Sequence, residues 1–174
     1  VILLATFNGE KYLVEQLESI VSQSYSNWIV LARDDQSSDS TLDILDQYVA
    51  KFPDKFFIDR SVPKNLGAKR SFLSLMQMVS SVLASNNLIS ENILILFSDQ
   101  DDIWDNNKLK HLVSVFGEND LTRGEPLLIH TDLELIDECG RSIAPSMEKY
   151  QGLFVSYTSL LNQAISNSVT GCAM

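Results

Sequence analysis

"LILFSDQDDIWDNNKL", residues 94–109, decides how this chain is read. An apolar run closing on Phe97 and Ser98 passes directly into Asp99-Gln100-Asp101-Asp102, three carboxylates in four residues. Like charges held this close repel one another. The arrangement therefore calls for a compensating ligand, and a divalent metal carrying a phosphate is the first candidate. A helical pattern over 105–116 follows at once. Buried strand, polar turn and helix is the repeating unit of a parallel α/β sheet.

The same grammar recurs upstream. Residues 1–6, VILLAT, form a continuous apolar run that ends in Thr6-Phe7-Asn8-Gly9. A helix is expected over 10–23, with Leu13, Leu17, Ile20 and Val21 on one face. Residues 28–33, WIVLAR, read as a second buried strand and run into Asp34-Asp35-Gln36-Ser37-Ser38-Asp39. Ser38 and Asp39 are candidate caps for a helix carrying Leu42, Leu45, Tyr48 and Val49. A third strand is expected at 56–60, then a loop punctuated by Pro63 and Gly67. Phe72, Leu75, Met76, Val79 and Leu83 mark a long helix that ends at 85–87. The fourth strand is 93–98, and a fifth is expected at 127–131. "DECGRS", 137–142, reads as a turn, and 156–165 as a further helix. The expected fold is α/β, a Rossmann-like, mostly parallel sheet with helices on both faces, in one domain spanning 1–174. No internal repeat or linker interrupts it.

Composition narrows the function classes. The 174 residues are 45% hydrophobic and 21% charged, as in an ordinary globular protein, with a net charge of −10. That balance disfavours nucleic acid, which needs a basic face, whereas a nucleotide can still bind through a metal. Cys139 and Cys172 lack zinc-site spacing and read as reduced thiols of a cytoplasmic protein. No apolar run reaches the roughly 18–20 residues of a membrane span. Val1 begins inside an expected strand and Met174 ends without a polar tail, so the chain reads as part of a longer protein.

In an open α/β sheet, ligands sit beyond the carboxyl ends of the strands, near the switch in strand order. The three polar clusters fall at those ends, which predicts one acidic cleft assembled from separate segments. Any single cluster is explained by caps and turns; Asp39, Ser40 and Asp105 are candidates for that role. Three on one edge favour a site. A calcium loop does not fit, because the fifth and sixth positions counted from Asp99 are Ile103 and Trp104. Trp104 is balanced between stacking on a sugar and a core position. His130 reads as half-buried and His111 as a surface residue.

"ATFNGEKYLVEQLESIVSQSY", "VLARDDQSSDST" and "SDQDDIW", in this order and spacing, resemble the family 2 glycosyltransferases, which have the GT-A fold. "DQDDIW", "HTDLELID" and "NSVTGCAM" are similar to the bacterial rhamnosyltransferase-like branch. The resemblance implies transfer of a sugar, with inversion, from a UDP- or dTDP-sugar, dTDP-rhamnose among them. The acceptor would be a saccharide or a lipid-linked saccharide in surface polysaccharide synthesis. It implies Mg²⁺ or Mn²⁺, and a cytoplasmic enzyme with peripheral association at the inner membrane face open to it. Residue by residue, Ala5, Thr6, Phe7 and Asn8 would lie along the nucleotide, and Asp35 would bond the base, with Asp34 beside it. Lys69 or Arg70 would meet base or phosphate. Asp99 and Asp101 would hold the metal, and Gln100 would join Asp99 near the ribose. The general base is expected beyond Met174. Two other classes compete: a nucleotidyltransferase, which would carry a Gly-rich basic loop after the first strand, and a nucleotide-sugar-binding module without turnover.

Overall fold

In a computed structural model, residues 1–86, 93–118 and 128–152 are described. The chain divides into two compact units, Val1–Gly124 and Glu125–Met174.

The first unit is built on a four-stranded sheet. Its strands are β1 (Ile2–Thr6), β2 (Val30–Asp34), β3 (Phe56–Ile58) and β4 (Leu96–Ser98), in the order β3-β2-β1-β4. Every pairing is parallel: Leu3 lies opposite Leu31 on one side and Phe97 on the other, and Leu31 lies opposite Phe57. Among the described residues four helices accompany it: α1 (Leu13–Val21), α2 (Thr41–Lys51), α3 (Ala68–Ser85) and α4 (Lys108–Glu118).

Strand periodicity explains why both faces are covered. Leu3 and Leu31 share a face and pack with Leu75 and Val79 of α3, flanked by Phe57, Phe72 and Phe97. Phe72 and Phe97 meet edge to face at 5.3 Å between ring centroids. Ile2, Leu4, Val30 and Ala32 point the other way and are equally buried. Phe56, opposite Val30, packs its ring 5.6 Å from Tyr48 of α2, which puts α2 on that second face. The continuous apolar strands are therefore covered on both sides, as the sequence pattern predicts.

Boundaries differ where turns compete with helices. The helix expected from residue 10 starts at Leu13, because the amides of Tyr12 and Leu13 both bond the Gly9 carbonyl in a preceding turn. The N-cap position of α2 falls to Ser40 rather than to Ser38 or Asp39, and Ser40 makes no side-chain cap bond. Asp39, one position earlier, serves the first turn instead, its Oδ1 accepting from the Thr41 amide at 3.0 Å and the Thr41 hydroxyl at 2.5 Å. Asp105 turns the chain into α4, accepting from the Asn107 amide at 2.8 Å.

The described part of the second unit contains β5 (Leu135–Ile136) and β6 (Ser142–Ala144), an antiparallel pair, and the single turn α5 (Met147–Tyr150). The expected turn at 137–142 joins the pair. Asp137 closes it, accepting from the amides of Cys139 and Arg141 at 2.9 and 3.0 Å. The strand expected at 127–131 is not found: residues 128–131 carry no strand. A three-residue apolar run beside His130 and Thr131 reads as a buried strand in sequence but is too short to show the alternation of a true one. The helix expected at 156–165 lies outside the described residues.

Candidate functional site

A cleft of about 400 Å³ opens at the carboxyl ends of β1, β2 and β4, lined by Ala5, Thr6, Phe7, Asp35, Gln100 and Asp101 among others. Strand order explains its place. The chain runs outward from β1 to β3 and then returns to the far side of β1, so the strand order reverses between β1 and β4 and a crevice is expected at their carboxyl ends. Asp99 also lines the cleft, so seven residues singled out from sequence meet there.

Gln100 links the two strand ends. Its Oε1 accepts from the Phe7 amide at 2.8 Å and its Nε2 donates to the Phe7 carbonyl at 3.0 Å. The amide side chain thus imitates a strand partner, and both of its polar atoms serve the backbone. Gly9 makes room for it: a Cβ there would stand 2.4 Å from Gln100 Oε1. Phe7 remains 48% exposed, an aromatic face on the wall of the cleft.

Asp35 is buried, and each carboxylate oxygen accepts a backbone amide at 2.7 Å, one from Leu66 and one from Gly67. The residues leading into α3 are thereby hung from the end of β2. Arg33, which the sequence pattern did not single out, supports the same loop from beneath. Its guanidinium donates to the carbonyls of Val62 and Lys64 at 2.8 and 2.9 Å and lies 3.4 Å from Asp59 and 3.6 Å from Asp35. Burial favours the neutral form of Asp59, but bonds from Ser61 and Ser74 and the charge of Arg33 outweigh it and hold the carboxyl below its usual range.

At the opposite wall, burial first, and then the charges of Asp102 and Asp101, push the Asp99 carboxyl above the usual carboxylate range. This is the repulsion expected from sequence, and a cation would relieve it. Among the described residues no three His, Cys, Asp or Glu side chains converge on one point. Mg²⁺ and Mn²⁺ do not require such a cage, since one or two carboxylates plus ligand phosphates commonly complete their shell. Asp99 and Asp101, on one wall of an open cleft, fit that requirement.

Four of the expected residues stand outside the lining. Asp34 accepts from the Thr6 hydroxyl at 3.2 Å and the Ser37 amide at 2.9 Å, a turn-closing role. Asn8 bridges to the next cluster: its amide donates to Ser37 Oγ and its Oδ1 accepts from the Ser38 amide, both at 2.8 Å. Its φ of 48° fits a residue type that tolerates the left-handed region. Lys69 and Arg70 are exposed in the first turn of α3. The same segment does contribute to the lining, through Asn65, Gly67, Ala68 and Ser71. Charge drew attention to Lys69 and Arg70; the signal for the others was the small side chains of Gly67-Ala68 at a helix start. Trp104 is buried, with Lys108 Nζ 4.9 Å from its ring centre, which makes it a core residue.

Comparison with known proteins agrees with this geometry. The chain is 36% identical over 110 residues to the dTDP-rhamnosyl transferase RfbG of Shigella flexneri, covering 63% of this chain and 35% of the relative. It is 26% identical over 159 residues to WfgD of Escherichia coli, a UDP-Glc:alpha-D-GlcNAc-diphosphoundecaprenol beta-1,3-glucosyltransferase, covering 87% and 53%. These relatives are thus longer than the matched chain. Among solved structures, S. aureus TarS 1-349 in complex with UDP superposes with a TM-score of 0.55 at 22% identity, over 78% of this chain and 40% of that one. That likeness concerns the fold, which is GT-A. The model of the family described as Glycosyl transferase family 2 matches residues 1–124, the whole of the first unit, and the chain belongs to that family.

Proposed function

We propose that this chain carries the donor half of a metal-dependent, inverting glycosyltransferase. It would move a sugar from a UDP- or dTDP-sugar to a saccharide or lipid-linked acceptor in bacterial surface polysaccharide synthesis. The observation that carries the proposal is the composition of the cleft at the strand ends. A carboxylate that organises a small-residue wall, Asp35, faces across it a pair of carboxylates, Asp99 and Asp101, suited to a cation and its diphosphate. Mg²⁺ or Mn²⁺ held there would neutralise the diphosphate as it leaves. Ala5, Thr6 and Phe7 would lie along the base, with the exposed Phe7 ring offering a stacking face. Asp35 retains lone pairs beyond the two amides it accepts, enough to take one N–H of a base. Relatives named for a dTDP-sugar and for a UDP-sugar support either pyrimidine, and a dTDP-rhamnose donor is the finer reading that RfbG supports. No helix among the described residues is long and apolar enough to cross a membrane; work at the cytoplasmic face on a lipid-linked acceptor is part of the same proposal. The deprotonating base belongs to the acceptor half, outside the cleft described above.

The test is calorimetric titration with UDP and dTDP, with and without Mn²⁺, on the wild-type chain and Asp101→Ala. Metal-dependent binding that the substitution removes is the expected result. Binding that is equal with and without Mn²⁺, or unaffected by Asp101→Ala, would overturn the metal assignment.

A further inference from the structure

Ser71 stands out among the residues that line the cleft. It is fully buried, and its hydroxyl has no hydrogen-bond partner among the described residues. Leaving a buried hydroxyl unmatched is unfavourable, and native proteins seldom do so without a reason. Its backbone is in order, the Ser71 amide bonding the Gly67 carbonyl at 3.0 Å in the first turn of α3. Only the side chain is unmatched, at the wall of an open cleft.

What would meet it follows from the charges around it. A helix start attracts anions, but here the Asp35 carboxylate already occupies the amides of Leu66 and Gly67. A phosphate would be repelled by Asp35 and is better served by a cation at Asp99 and Asp101. The α3 wall, built from Gly67, Ala68 and Ser71 beside Asn65, suits a flat neutral group instead. Near Asp35 the ligand must offer an N–H, because a carboxylate only accepts; the Ser71 hydroxyl can donate to an adjacent carbonyl. A carbonyl beside a ring N–H is the imide edge shared by uracil and thymine. Cytosine presents a bare acceptor nitrogen at that place.

Resting on the nucleotide-sugar reading above, we infer that Ser71 is a specificity-determining residue, its hydroxyl bonding a carbonyl of the donor's uracil or thymine ring. The free protein therefore holds an unmatched group that the correct base completes.

The experiment uses the chain with Mn²⁺ and UDP, dTDP and CDP as probes, comparing wild type with Ser71→Ala by calorimetry and thermal melting. Ser71→Ala removes a group that has no partner in the free protein, so its melting temperature should equal or exceed wild type. Its affinity for UDP and dTDP should fall on the order of ten-fold, while CDP changes little, so that discrimination narrows. A structural serine would give the opposite pattern, a lower melting temperature and unchanged relative affinities, and that would overturn the inference. Equal UDP binding by both proteins would also overturn it while leaving the nucleotide reading intact. Failure of wild type to bind any of the three would remove that reading, and the assignment of Ser71 with it.

Discussion

Asp99 sits where folding raises its pKa, through burial and the nearby charges of Asp102 and Asp101. The sign of the consequence is unusual for a carboxylate. Below the unfolded value of about 4 the group is neutral in both states and contributes nothing. As pH rises past that value the unfolded chain ionises first, so Asp99 becomes increasingly destabilising until its own folded value is passed, and above that value the full penalty remains. Asp99→Asn should therefore melt higher than wild type at pH 7, with the gap closing as pH falls below about 4. Adding Mn²⁺ and UDP should reverse the order, because only wild type retains both carboxylates; thermal melts with and without ligand check both halves. Gly9 is a second single-residue case. A Cβ there would meet Gln100 Oε1 at 2.4 Å and Cδ at 2.7 Å, atoms at the end of a flexible side chain. Gly9→Ala should cost about 1 kcal/mol of stability, yet weaken nucleotide binding by a larger factor, since Gln100 must leave Phe7. Urea titration and calorimetry separate the two effects. The carboxylates at 99 and 101 were legible in the sequence because clustered like charge is a local signal. The Gln100–Phe7 bonding was not, because it joins residues 93 positions apart and Gln100 looks like one more ligand in a polar turn.

At the scale of elements, the loop between β3 and α3 is held by a buried polar network. Arg33 takes the carbonyls of Val62 and Lys64, Asp59 takes the Ser61 amide at 2.8 Å and the Ser74 hydroxyl at 2.9 Å, and Asp35 takes the amides that start α3. Removing one member of a buried ion pair leaves the other charge uncompensated. Arg33→Met should cost about 3–5 kcal/mol, read as a lowered urea midpoint. Arg33→Lys should rescue it only in part, because an ammonium cannot hold two carbonyls and two carboxylates in a planar fork. Asp59 has a depressed folded pKa, so its contribution is present above about pH 4 and disappears as pH falls through the lower folded value. Asp59→Asn should flatten that acid limb of the stability profile. Sequence pattern located every element among the described residues of the first unit, since buried strands and amphipathic helices carry long periodic signals. It passed over Arg33, because a charged residue ending an apolar strand looks like its exposed end. It also placed a strand at 127–131, where apolar character alone stands in for a pairing that residues 128–131 do not make.

For the whole molecule, sheet order matters more than any one element. Parallel pairing was legible in the strands' unbroken apolar runs, but periodicity does not say which strand lies beside which. The order β3-β2-β1-β4 puts the carboxyl ends of β1 and β4 at the sheet's switch point and so opens the cleft. Every residue that lines it falls between Ala5 and Asp101, within the unit Val1–Gly124 that also contains the whole parallel sheet and the helices on both its faces. A segment with its own two-sided core has what a domain needs to fold alone. Residues 1–124 expressed alone should therefore unfold cooperatively in urea and bind UDP with Mn²⁺ as tightly as the 174-residue chain. Ligand at about a hundred times its dissociation constant should add about 2.7 kcal/mol to the stability of either. Equal shifts in the two urea midpoints would place the whole donor site in the first unit. A smaller shift for residues 1–124, with folding intact, would show that residues 125–174 supply part of the nucleotide's binding energy.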